Sequence, residues 1–212
     1  MTEPLAVLQR IRESQPRELP RAGEVCELCA EPIADDHGHL VDLQARTLMC
    51  ACRGCYLLFI SEGAGGPHFR SVPDRYLAFP EFELSPEQWD NLQIPVSVAF
   101  FFLNSSLGRI AAFYPGPAGA TESELPLETW AEVTAANPEL ATLQPDVEAF
   151  LVRSKAGGAG TECYIVPIDA CYELVGHLRR LWRGFDGGRE AHEAVDAFFA
   201  GIRRRARTVE RG

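Results

Sequence analysis

The sequence has no apolar run long enough to cross a bilayer as a helix. Its longest, Ile94 to Leu103, is about half of the ~20 residues required and contains Pro95 and Ser97. No membrane insertion is expected, and the run reads as a buried strand. Residues Met1 to Glu13 carry Glu3 and no sustained apolar stretch, so no secretory signal is read there and a cytoplasmic location is expected. Positive charge is also scarce. With 20 Lys and Arg against 30 Asp and Glu, the formal net charge is -10, which disfavours nucleic acid or an anionic membrane as a partner. A P-loop is missing too: Gly116 to Ser123 has glycines and hydroxyls ahead of a predicted helix but no Gly-Lys-Ser/Thr ending, and reads as a structured turn. No internal repeat or low-complexity tract is visible. Apolar residues at 46% and charged residues at 24% match soluble globular domains, so no long disordered tract is implied. At 212 residues the chain accommodates one ordinary core and a small satellite module, and is too short for two full-sized domains.

What the chain does have is concentrated cysteine. Five of the seven cysteines fall within thirty residues, as Cys26-x2-Cys29 and then Cys50-Ala51-Cys52-Arg53-Gly54-Cys55. Two Cys-x2-Cys pairs a couple of dozen residues apart can supply four thiolates to one tetrahedral ion, because each pair folds into a knuckle that points both sulfurs at one centre. In a reducing compartment clustered thiols are better explained by metal ligation than by disulfides. The expected ligands are Cys26, Cys29, Cys52 and Cys55. Four protein sulfurs close the coordination shell, so a structural zinc ion is expected and no catalytic residue is assigned. Cys50 reads as a spare thiol, a regulatory thiol or an alternate ligand, and His39 as a further alternate. His37 and His39, if extended, are expected to point to opposite faces and so not to join one site.

Iron is the rival ion, since tetrahedral sulfur also suits a rubredoxin-like electron carrier. Rubredoxins favour glycine after each knuckle and proline inside the second, whereas here Ala30 and Tyr56 follow the knuckles and Arg53-Gly54 fill the second. Cys163 and Cys171 fall in a predicted strand and at a predicted helix start. Neither has a histidine at motif spacing, so both read as small buried side chains. An enzyme with an unrecognised site in the main domain is kept as an alternative.

Three segments are expected: an N-terminal helix or arm over 1–22, a cysteine-rich module over 23–66 ending at the joint Gly63 to Pro67, and an α+β domain over 67–212. In the module, His39 to Leu43 and Thr47 to Met49 flank a short turn and predict a hairpin. A helix bearing the second ligand pair would complete a treble-clef or zinc-ribbon-like arrangement, with Cys52 and Cys55 in its first turn. In the main domain Ser85-Pro86-Glu87-Gln88 is a helix start signal. Strands are predicted over Val96 to Leu103, Arg109 to Tyr114, Val147 to Arg153 and Glu162 to Ile168, and a helix over Leu127 to Ala136. Two helices close the chain, the first capped by Asp169, the second ending in the Arg203 to Arg207 cluster, whose cations complement the helix dipole. Strands first and helices later predict a mainly antiparallel sheet with helices on one face.

The chain also resembles a known family. Cys26-Glu27-Leu28-Cys29, His39 to Leu43, Cys50 to Phe59, Ile94-Pro95-Val96 with Ala99 to Phe102, Tyr114-Pro115 to Ser123, and Val166 to Asp169 with Cys171-Tyr172 are similar to a bacterial family of unknown function, from about Gly23 onward. That family is encoded beside NiFe-hydrogenase structural and maturation genes. The resemblance implies an accessory protein that binds a protein partner, a hydrogenase subunit or maturation factor. Ala30 departs from the glycine expected after the first knuckle, which weakens the turn and keeps the ligands.

Overall fold

The computed structural model describes residues 25–60, 68–123, 127–154, 160–184 and 187–210. The expected N-terminal helix and the joint at 63–67 lie outside the described residues. The cysteine-rich part forms a three-stranded antiparallel sheet, order β2-β1-β3, from β1 (Gly38–Asp42), β2 (Thr47–Ala51) and β3 (Phe69–Ser71). The β1–β2 turn is the expected one: the Asp42 carboxylate accepts from the backbone N–H groups of Gln44 and Ala45, and Arg46 takes a left-handed φ of 57°. Helix α1 (Arg53–Leu58) follows β2 directly.

The rest builds a seven-stranded sheet from β4 (Leu77–Ala78), β5 (Val98–Asn104), β6 (Arg109–Gly116), β7 (Gly119–Ser123), β8 (Glu148–Ser154), β9 (Thr161–Pro167) and β10 (Arg207–Thr208), in the order β10-β4-β9-β8-β5-β6-β7. Every pairing is antiparallel except the parallel β10–β4 edge. The fold class is therefore α+β. Gly116 to Ser123, read from sequence as a turn, instead completes β6 and forms the edge strand β7. Its side chains are exposed or half-buried, so no apolar alternation marks it.

Five helices are described: α1, α2 (Pro86–Asn91), α3 (Leu127–Ala136), α4 (Ile168–Leu181) and α5 (Gly188–Arg205). α2 starts at the expected capping box, with Gln88 N–H donating to Ser85 Oγ at 3.1 Å and Ser85 N–H to Gln88 Oε1 at 2.9 Å. α5 buries Ala191, Val195, Phe199 and Ile202, one stripe at helical spacing. Asp169 is not the cap of α4. Pro167 is the N-cap residue of that helix and offers no side-chain cap, and Asp169, in its first turn, reaches across to the cysteine-rich part.

The expectation of helices on one face is corrected, because the central strands are apolar on both sides. Val98, Phe100 and Phe102 of β5 join a core with Leu174 and Leu178 of α4 and Phe199 of α5. Ala99 and Phe101 point the other way, into a second core with Trp89 of α2 and Trp130 and Val133 of α3. Trp130 stacks on Phe101 at 4.8 Å between ring centroids. A strand apolar at successive positions must be covered twice.

The first core also takes in Val41 of β1 and Val72, with Leu43 and Leu48 packed against it. The hairpin is thus shared: Leu40 and Ala51 face the cysteines, and Val41 faces the main sheet. The terminal arginines are engaged on the same structure. Arg203 donates to Glu162 at 3.1 Å, while Arg205 donates to Asp74 at 2.8 Å and lies over the Tyr76 ring at 3.9 Å.

Candidate metal centre

The first knuckle is a tight backbone turn. Ala30 N–H donates to the Cys26 carbonyl and Cys26 N–H to the Glu31 carbonyl, both at 2.8 Å. Ala30 pays for the turn with a left-handed φ of 60°, the conformation that favours glycine and costs another residue roughly 1 kcal/mol. The knuckle is pinned to β2 at two points: Cys50 N–H donates to Glu27 Oε2 at 2.5 Å, and Glu27 N–H donates to the Cys50 carbonyl at 3.0 Å. The second pair sits where the hairpin ends. Cys52 is the N-cap of α1, its sulfur accepting from Cys55 N–H at 3.4 Å, so this ligand also satisfies a helix amide left open at the first turn.

These two turns bring the sulfurs of Cys26, Cys29, Cys52 and Cys55 within 4.8 Å of one another. Cys29 Sγ and Cys52 Sγ are 3.6 Å apart. A zinc–sulfur bond of about 2.3 Å places the corners of a tetrahedron about 3.8 Å apart, so the donor set fits a tetrahedral ion. All seven cysteines are free thiols. Four sulfurs crowded together cannot ionise alike without a cation. Burial opposes ionisation at Cys26, yet backbone hydrogen bonds at Cys52, Cys29 and Leu28 prevail and bring its thiol down to about 6. Cys55, facing the Cys29 sulfur and partly desolvated, is pushed up to about 12. A bound cation removes that conflict, since metal ligation takes the thiolate at every position.

Tyr56 backs the centre. Its ring lies against Gly38 and its hydroxyl donates to the Val72 carbonyl at 2.9 Å, linking α1 to the segment after β3. A Cβ at Gly38 would stand 2.7 Å from Tyr56 Cγ. Gly38→Ala is therefore expected to destabilise the metal module by about 1–3 kcal/mol through overpacking, read as a lower thermal midpoint at unchanged metal content.

Residues 25–206 match the model of a family described as a family of unknown function (DUF5947). The chain belongs to that family. No curated protein and no solved structure matches it. In this DUF5947 member the matched span runs from the first knuckle through α5.

The remaining sequence candidates divide. Cys163 and Cys171 are buried in the main domain, where burial raises both thiols, and neither joins a group of metal-ligand side chains among the described residues. Cys50 and His39, the two alternates, stand apart from the four sulfurs and meet each other instead, together with His37. The expectation that the two histidines point apart is overturned: residues two apart in an extended chain share a face, and the rings lie 4.8 Å apart between centroids. Asp169 is the residue that sequence reasoning missed. Its carboxylate accepts from His39 Nδ1 at 2.8 Å across 130 positions of chain, a separation no local pattern signals.

Proposed function

We propose that this protein is a zinc-stabilised accessory protein of the cytoplasm that works by docking on a protein partner, a NiFe-hydrogenase subunit or maturation factor. The observation that carries the docking role is the pairing, on one small module, of a closed four-thiolate donor set with an exposed apolar rim. A closed shell leaves no position for substrate or water, so the metal serves shape. Knuckle, hairpin and helix occur in the order of a treble clef, with the second ligand pair at the helix start, which supports that description of the module.

The rim is Leu28, Leu57, Leu58 and Ile60, with relative exposures of 36%, 47%, 64% and 52%. Leu28 lies inside the first knuckle and the other three on or just after α1. Three large apolar side chains exposed on and just after one short helix, with a fourth in the knuckle of the same module, mark a surface for another protein. The resemblance set out above supplies the hydrogenase assembly context. No helix among the described residues is long and apolar enough to cross a membrane.

Co-purification of tagged protein from a hydrogenase-expressing cell is expected to recover a hydrogenase subunit or maturation factor. Leu57→Asp with Leu58→Asp is expected to reduce that recovery at least tenfold while the metal is kept; recovery of no hydrogenase-related protein under several conditions overturns the assignment. Zinc in colourless protein purified without added metal is the expected elemental result. Bound iron with visible absorbance and reversible reduction would replace zinc with the electron-carrier reading.

A further inference from the structure

The β1–β2 hairpin has two faces, and the four-thiolate centre uses only the one that carries Leu40 and Ala51. On the other face His39 stands directly opposite Cys50 in the strand register, and the ring of His37, just before β1, lies 4.8 Å from that of His39 between centroids. One ring nitrogen of each histidine and the Cys50 sulfur all lie within 4.8 Å of one another, the same limit that encloses the four sulfurs.

Hydrogen bonds select the tautomer of both rings. The Ala34 carbonyl can only accept, so His37 Nδ1 carries the proton in their 2.8 Å contact and Nε2 keeps its lone pair. That Nε2 is buried and has no hydrogen-bond partner. The Asp169 carboxylate accepts from His39 Nδ1–H in the same way, leaving Nε2 of His39 as the basic nitrogen. An imidazole anchored through Nδ1–H on a carboxylate or a carbonyl is the arrangement of metal-binding histidines, because the anchor orients the ring and raises the basicity of the other nitrogen. A buried lone pair without a partner is costly, and a cation satisfies it.

We propose that His37, His39 and Cys50 form a second metal site, separate from the four-thiolate centre, for a borderline first-row transition ion such as zinc or cobalt(II). Two imidazoles and one thiolate suit such an ion and leave a fourth position open. Both histidines line a cleft of about 1060 Å³ that is also bounded by Tyr56, Asp169 and Tyr172, so the open position faces a space able to admit water or a donor from a partner. Asp169 is a positioning residue. It comes from α4 of the main domain, and so the ion sits at the seam between the hairpin and that helix.

The test is an anaerobic cobalt(II) titration of full-length protein whose four-thiolate centre already holds zinc. One further equivalent of cobalt is expected, with visible bands of a low-symmetry four-coordinate ion and a near-ultraviolet thiolate charge-transfer band. Cys50→Ala is expected to abolish the charge-transfer band, His37→Ala and His39→Ala to weaken binding more than tenfold, and Asp169→Asn to weaken it about 10–100-fold. Zinc content and amide circular dichroism should stay at wild-type values in each variant; His39→Gln serves if His39→Ala fails to fold. Absence of a further equivalent, cobalt that enters only by releasing zinc, or a further equivalent unchanged in Cys50→Ala and His39→Gln would each overturn the site. Zinc content before titration reports on the four-thiolate centre independently.

Discussion

Stripping the metal with a chelator, or replacing Cys52 by alanine, is expected to unfold the hairpin and α1 while the central strands of the main sheet keep their amide protection. A filled structural zinc site contributes on the order of 10 kcal/mol of folding free energy at neutral pH. The module's own buried core is small, Cys26, Leu40 and Ala51 with half-buried neighbours such as Met49 and Phe59, and its other face adds Val41, with Leu43 and Leu48, to the main core. Cys52 is expected to be the most sensitive of the four because its sulfur is both a candidate ligand and the N-cap of α1. Hydrogen exchange read by mass spectrometry is the measurement. Amides over residues 38–51 should exchange fast after metal removal, those of β5, β8 and β9 should remain slow, and Cys163→Ala should leave the metal in place. Unchanged protection over 38–51 after complete metal removal would refute a structural role. Because the ligands must be thiolates, metal affinity is also expected to fall as the solution is acidified.

Arg75→Met is expected to cost the whole protein about 3–5 kcal/mol. Glu148 opens β8 with its side chain fully buried, and Arg75 is its charge partner, donating from Nε to Oε1 at 2.6 Å and from Nη2 to Oε2 at 2.5 Å. Gln144 N–H adds a third bond to Oε2 at 2.8 Å, and Arg75 itself also reaches the Thr142 carbonyl at 2.8 Å. The bond to Glu148 raises the Arg75 pKa, as a charge-stabilising partner must, against the opposing effect of partial burial. Removing the guanidinium leaves a buried carboxylate with one amide for company. Denaturant midpoints should show the loss in Arg75→Met, and the pair Arg75→Met with Glu148→Leu should regain most of it, because replacing both members of a buried ion pair by apolar groups is close to neutral. Additive losses in the double variant would show that the two residues act separately.

Several elements were legible because their signals are local. The Ser85 to Gln88 capping box, the α4 and α5 apolar stripes and the hairpin between His39 and Met49 each follow from residues within one or two turns of chain. The edge strand β7 and the two-residue strands β4 and β10 carried no such signal: β7 and β10 bury no side chain, and β4, although Leu77 is buried, is too short to show a pattern. The one-faced sheet failed for a related reason. The Ala99 to Phe102 run is apolar at every position, and a pattern without alternation does not say whether one face or both are covered.

By itself the sequence determined the likeness of the two Cys-x2-Cys pairs to a four-ligand knuckle set, the α+β order of elements and the absence of a bilayer-length apolar helix. Those properties depend on spacing and composition, which the chain carries wherever it folds. Only the tertiary structure decided that Cys50 leaves the sulfur cluster for His37 and His39, and that Asp169 leaves the cap of its helix for His39. Strand register assigns Cys50 to the opposite face of the hairpin, and packing of that face on α4 brings Asp169 within hydrogen-bond reach. Which face a side chain takes and what crosses the seam to meet it are set by contacts between distant parts of the chain, and such contacts form only when the whole chain has folded.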